Sequence, residues 1–196
     1  METKNDATDA IPRSTSRLQA PPANLSLKLQ TVSTLQINKV PTAIVYCEGN
    51  FGKFDGKTAN GLIRHSQAYR IVSVIDSPHN RQDSGQILDD VINNIPIFGN
   101  LKAAVVHEWK VPDTFIYGMA PSTGKLSSQD RIVILDAIAM GMNIVSGLHE
   151  YLSEDSEIAA FASKHDVTIR DIRKPKQSKD MRLFDGSIKN VNAVRI

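Results

Sequence analysis

The chain has 196 residues, 41% apolar and 22% charged, with 23 Lys and Arg against 21 Asp and Glu. A chain of this length buries roughly 70% of its unfolded surface, so one globular core with tails needs neither disulfide nor metal to hold it. Cys47 is the only cysteine, which excludes a disulfide framework and paired-cysteine zinc sites and fits a reducing, cytoplasmic setting.

The net charge hides an asymmetry. Residues 1–40 hold five basic and three acidic residues and 173–196 hold seven and two, which leaves 11 basic and 16 acidic residues between them. The basic tail with Arg173, Lys174, Lys176, Lys179 and Arg182 reads as a solvated linker, because no aromatic residues interleave the charges and no nucleic-acid motif is present. No apolar run approaches the roughly 20 residues that span a bilayer. Glu2, Asp6 and Asp9 stand where a signal peptide is basic. Neither nucleic acid nor membrane is expected as a partner.

Residues 1–39 are rich in Ser, Thr, Asn and Gln, carry Pro12, Pro21 and Pro22, and read as mostly disordered. The alternation Leu25, Leu27, Leu29 leaves an extra edge strand or hairpin open. From Thr42 the pattern changes to short apolar runs, each followed by a polar or glycine turn and a helix-like segment. The runs are Thr42 to Tyr46, Arg70 to Ile75, Ile95 to Phe98, Thr114 to Tyr117, Asn143 to Val145 and Val167 to Ile172. Their nearly continuous apolar character suits strands covered on both faces. Between them, Asp83 with Gln86 is placed to cap a helix carrying Leu88, Val91 and Ile92, and Asn100 one carrying Leu101, Ala104 and Val105. Ser127 to Asp130 precedes Ile132, Leu135 and Ile138, with Gly141 as terminator, and Ser153 with Glu154, Asp155 and Glu157 opens a helix facing inward through Ile158, Phe161 and Ala162. Strand and helix alternating in this way predict an α/β fold, a doubly wound, mostly parallel sheet with helices on both faces.

Ligands of such a sheet bind beyond the carboxyl ends of its strands. The first strand is followed by Glu48, Gly49, Gly52, Asp55, Gly56, Lys57 and Thr58, the second by Asp76, Ser77 and His79. The fourth is followed by Gly118, Ala120, Pro121, Ser122 and Gly124, and the fifth by Ser146, Gly147, His149 and Glu150. Glycines ahead of a helix present free N–H groups to an anion. However, Gly49, Gly52 and Gly56 match neither G-x-G-x-x-G nor G-x-x-x-x-G-K-[ST], so a flexible turn with Thr58 as helix cap stands beside the phosphate-binding reading. Asp76 occupies the place of a ribose-binding carboxylate, or merely ends its turn. His149 beside Glu150 is a candidate acid–base pair, or a helix-start histidine bound to backbone. Ser153 stands where H-E-x-x-H needs its second histidine, which excludes a zinc protease. Ala120 to Gly124 lacks the first glycine of G-x-S-x-G, and Cys47 after a buried strand reads as a core residue.

The segments Lys57-Thr58-Ala59-Asn60-Gly61-Leu62-Ile63-Arg64, Val74-Ile75-Asp76-Ser77, Gly118-Met119-Ala120-Pro121 and Ser146-Gly147-Leu148-His149-Glu150-Tyr151-Leu152-Ser153 resemble, in order and spacing, one two-domain family. That family was first described as a domain of unknown function. It joins a Rossmann-like N-terminal domain to a P-loop C-terminal domain, and its studied members are D-glutamate N-acetyltransferases. The resemblance covers about Thr42 to Pro175 and implies a Rossmann-like domain at 40–175. It also implies that 176–196 is a basic linker and, at Asn192 to Ile196, the start of a strand belonging to a P-loop domain that continues beyond Ile196. Pro78-His79-Asn80-Arg81 departs from the small glycine-containing turn of the family.

For the complete enzyme the resemblance implies acetyl-CoA as cosubstrate and D-glutamate or a similar amino acid as substrate; for this chain alone no cofactor is assigned. Catalysis falls to His149 or Glu150. Ligand contacts fall to Gly49, Gly52, Lys57, Thr58, Arg64, Asp76, Ser77, Ser146 and Gly147, with Lys57 and Arg64 placed to hold a substrate carboxylate and Arg64 equally placed for a structural ion pair. No metal site is expected, the P-loop domain is the expected partner, and a homo-oligomer is left open. Two other readings stand beside the transferase: a non-catalytic module that binds a nucleotide or amino acid, and an NAD-dependent epimerase- or dehydratase-like protein, which rests on fold analogy and Asp76.

Overall fold

The computed structural model describes residues 40–121, 123–176 and Met181. The readings placed on residues 1–39, on Ser122, and on 177–180 and 182–196 lie outside the described residues. Six strands, β1 (Thr42–Tyr46), β2 (Arg70–Ile75), β3 (Ile97–Phe98), β4 (Thr114–Tyr117), β5 (Asn143–Ser146) and β6 (Ile169–Asp171), form one parallel sheet in the order β3-β2-β1-β4-β5-β6. Five helices connect them: α1 (Lys57–His65), α2 (Ser84–Asp89), α3 (Leu101–His107), α4 (Ser128–Ala139) and α5 (Ser156–Lys164). This is the doubly wound α/β architecture expected from the alternation of elements. Right-handed crossovers put α1 and α2 on one face and α4 and α5 on the other. Consistently, α1 packs on α2 and α4 on α5. No helix among the described residues is long and apolar enough to cross a membrane.

The central strands are apolar along their length because both faces are covered. Ala43, Ile44 and Val45 of β1, Phe115 of β4 and Ile144 of β5 are fully buried. Register aligns the strand ends: Ile75 pairs Phe98 and Tyr46, Tyr46 pairs Tyr117, Tyr117 pairs Ser146, and Ser146 pairs Asp171. One transverse row therefore crosses the carboxyl edge of the sheet. Strand order reverses between β1 and β4, so the ligand crevice of this topology opens beside Tyr46 and Tyr117.

Most caps are those read from the sequence. Asp83 accepts from Gly85 and Gln86 N–H, Asn100 from Ala103 N–H, and Ser127 from Asp130 N–H. Gly141, with φ +81°, ends α4.

Four details differ from expectation. α2 stops at Asp89 because Asp90 adopts a left-handed conformation, φ 56°, so Val91 and Ile92 lie beyond the helix and are 66% and 65% exposed. β3 shrinks to two residues, because Pro96 offers no N–H to the ladder and instead bridges Asp83 in antiparallel fashion. β6 begins at Ile169, since Val167 N–H is taken by Ala162 O at the end of α5. Finally, α5 is capped by Asp155, not Ser153. Residues 152–154 form a separate 3-10 turn, and the Asp171 carboxylate holds it by accepting from Leu152 and Ser153 N–H, each at 3.0 Å.

Candidate functional site

The turn after β1 is built mostly to satisfy itself. Gly49 and Gly52 have φ +69° and +76°, a region open mainly to glycine. Asn50, Lys53, Gly56 and Lys57 N–H donate in succession to Cys47, Asn50, Lys53 and Phe54 carbonyls. Asn60 then ties the turn to α1: its Oδ1 accepts from Gly52 N–H at 3.1 Å and its Nδ2 donates to Lys53 O at 3.1 Å. α1 starts after Gly56 without a side-chain cap, so Thr58 is not the cap the sequence offered. Ala59 N–H donates instead to Gly118 O across the switch point, at 3.0 Å. Most N–H groups that a phosphate cradle would present are committed to protein carbonyls. The turn walls the crevice through Glu48, Asn50 and Asp55, whereas Gly49, Gly52 and Thr58 line none of the clefts, and α1 is locked against the end of β4.

At the base of the crevice lies a group that sequence reading missed. Tyr46 and Tyr117 hydroxyls donate to the two oxygens of Asp130, at 2.6 and 2.9 Å. All three residues are buried. Burial first, and then the Asp130 charge, push both phenols well above their ordinary range, so they remain protonated donors. Asp130 sits in the first turn of α4, where a carboxylate also meets the positive end of the helix dipole. Its place as the last residue of a capping stretch hid it; register pairing of Tyr46 with Tyr117 is the signal that could have found it. A cleft of about 360 Å³ opens over these three groups, with Glu48 and Asp55 on its wall. It adjoins a more apolar cleft of about 600 Å³ between α3 and α4, floored by Ile75, Leu101 and Val133, with which it shares Tyr46, Glu48 and Gln129.

The second strand's end is enclosed. Asp76 is fully buried and its Oδ2 meets His79 Nδ1 at 2.5 Å, while Oδ1 has no hydrogen-bond partner among the described residues. A carboxylate so placed presents no oxygen to a ribose hydroxyl. Ser77 is bound to Glu48 through both its N–H, at 2.9 Å, and its hydroxyl. Cys47 is buried, and burial followed by the charges of Asp76 and Glu48 pushes its thiol up to about 12. It is inert at neutral pH.

The remaining candidates divide. Arg64 points to Asp89 on α2, Nη2 to Oδ1 at 2.6 Å, and lines none of these clefts; the ion-pair alternative is the one the structure displays. Ser146 is buried and its Oγ accepts from Leu148 N–H at 3.2 Å, turning the chain outward after β5. His149 and Glu150 follow in an exposed position. Both donate their N–H to Gly124 O, at 3.2 and 3.4 Å, and Glu150 Oε2 accepts from Leu126 N–H at 3.0 Å. Lys57, His149, Gly147 and Arg173 come together around a pocket of about 150 Å³, which shares Pro121 with the crevice. Arg173 had read only as part of a basic tail. Among the described residues no group of three or more His, Cys, Asp or Glu is arranged to hold a metal ion.

Comparison with known proteins adds a family to this geometry. A D-glutamate N-acetyltransferase from a Pseudoalteromonas species is 44% identical over 62 residues, and one from Tritonibacter scottomollicae is 34% identical over 62 residues. Each match covers 32% of this chain and 19% of the relative, so the aligned part spans about a fifth of those proteins. The crystal structure of a DUF1611 family protein from Anabaena variabilis superposes with a TM-score of 0.65 at 25% identity, over 76% of this chain and 41% of that one. The family model described as a domain of unknown function, DUF1611_N, Rossmann-like domain, matches residues 77–175. Because that match covers half of the sequence, the chain belongs to the DUF1611_N family of Rossmann-like domains.

Proposed function

We propose that this chain is the Rossmann-like part of a D-glutamate N-acetyltransferase that acts with a P-loop domain, its crevice forming one wall of the active cleft. The observation that carries the reading is the 44% identity over 62 residues to a protein of that name, on a domain whose polar side chains gather at one sheet edge. Acetyl transfer from acetyl-CoA to an amine needs two reactants held in line and a group that moves one proton. The ammonium of D-glutamate first loses a proton to water. The free nitrogen attacks the thioester carbonyl, the C–S bond breaks, and the second proton passes from nitrogen to the departing sulfur.

His149 is assigned to that last transfer. Imidazole exchanges protons near neutral pH, His149 lines the pocket with Lys57, and its ring nitrogens have no hydrogen-bond partner among the described residues. Glu150, engaged with Leu126 N–H, holds the loop that carries Gly124 beside the imidazole.

The test uses the complete gene product with acetyl-CoA and either D- or L-glutamate, following free thiol. Expected are thiol release that requires the D-isomer and a fall of about 100- to 10,000-fold in His149→Ala. Absence of release with D-glutamate refutes the transferase, and binding of the amino acid without release makes the chain a binding module instead. Unchanged turnover in His149→Ala removes the role given to that residue.

A further inference from the structure

The pocket of about 150 Å³ is walled by four separate segments: Lys57 at the start of α1, Pro121 and Gly124 after β4, Gly147 and His149 after β5, and Arg173 after β6. Its lining carries two fixed cations and a histidine and no carboxylate. Arg173 Nε donates to Gly147 O at 2.6 Å, and its two terminal nitrogens have no partner among the described residues. The guanidinium is therefore held by one edge and keeps the other for a planar anion, the geometry in which arginine binds a carboxylate or phosphate through two bonds. Lys57 Nζ lies 4.8 Å from the centre of the Phe54 ring and pairs with no carboxylate among the described residues. It extends from the positive end of α1.

Two glycines make room. Gly124 has φ +66°, and a Cβ there would stand 3.0 Å from His149 Cδ2, so glycine is what lets the imidazole lie against this turn. At Gly147 a Cβ would have no heavy atom within 4 Å. A side chain there would enter open space. A volume this small accommodates one anionic group and not a whole cosubstrate.

We infer that this pocket is an anion subsite for a carboxylate or phosphate group. On the acetyltransferase reading, its occupant is the α-carboxylate of D-glutamate. The α-nitrogen, one carbon away, then stands at the pocket mouth beside His149, where the proton must leave it. The alternative source of the same chemistry is a phosphate of the acyl donor.

Gly147→Ala tests the inference with little risk to the fold, because the new methyl enters open space and the backbone there is not left-handed. Arg173→Gln and Lys57→Met remove the cations from different segments. On the complete protein, Arg173→Gln and Lys57→Met are each expected to raise KM for D-glutamate by about tenfold or more, the loss of a hydrogen bond to a charged group, and Gly147→Ala to raise it by narrowing the pocket, with KM for acetyl-CoA unchanged. A rise in KM for acetyl-CoA instead, with inorganic phosphate as a competitor, upholds the subsite and assigns it to a phosphate. Unchanged KM for both substrates in all three variants overturns it. Should the wild type transfer no acetyl group, the subsite is read separately by NMR titration with D-glutamate, glutarate and inorganic phosphate. Shifts of the Gly147 amide and the His149 ring that vanish in Arg173→Gln uphold an anion site without the transferase. No shift with any of the three overturns it.

Discussion

The docking of α1 against β4 places Lys57, and Gly118 governs it. A Cβ at Gly118 would stand 2.7 Å from Val45 Cγ1, 2.9 Å from Ala59 Cβ and 3.1 Å from Tyr46 O, where carbon pairs rest at about 3.5–4.0 Å. The backbone of Gly118 is not left-handed, so Gly118→Ala adds collision without torsional strain. To relieve it α1 must withdraw by close to 1 Å, lengthening the Ala59 N–H bond to Gly118 O. Overpacking of this kind costs about 1–3 kcal/mol. Gly61→Ala is the control: it lies in the same helix, meets nothing within 4 Å, and should gain up to about 1 kcal/mol from helix propensity. Urea unfolding reads both, and for a chain of this size each kcal/mol moves Tm by about 2–4 °C. Opposite signs for one chemical change would establish that packing at the switch point, not glycine content, sets stability. Gly118→Ala as stable as wild type would refute the claim that α1 is tightly docked.

Two other consequences follow from named contacts. Tyr46→Phe and Tyr117→Phe each remove a buried donor to Asp130 and should cost about 1–3 kcal/mol by urea unfolding; the double variant should cost more than the sum, since it leaves a buried carboxylate with no donor. The Arg131 guanidinium, reinforced by Ile158 N–H, holds the Asp155 carboxyl down to about 2, with Arg131 Nη1 2.7 Å from its Oδ2. A depressed carboxyl stabilises the fold above its unfolded value near 4, and this contribution disappears as pH falls from about 4 to 2. Because the side chains are 28% and 23% exposed, solvent screening limits the effect to about 1 kcal/mol. Arg131→Met should flatten that acid limb in thermal melts, and an unchanged limb would show that the clasp between α4 and α5 contributes nothing.

Alternation of apolar runs with capped helical stretches was enough to read the fold class, because runs such as Thr42 to Tyr46 and Arg70 to Ile75 are apolar on both faces and their spacing leaves room only for crossover helices. Local caps at Asp83, Asn100 and Ser127 were legible for the same reason: they act within three residues. The glycine turn after β1 was legible as a turn but not in purpose, since whether its N–H groups face a ligand or a carbonyl depends on Asn60 and Gly118, which the chain brings back from elsewhere. Strand order, and with it the meeting of Tyr46, Tyr117 and Asp130, required register between strands far apart in sequence. Arg64 and Arg173 show the division most plainly. Both are exposed cations in the sequence, yet one is spent on Asp89 and the other opens onto a pocket, because long-range packing alone decides which partner an arginine finds.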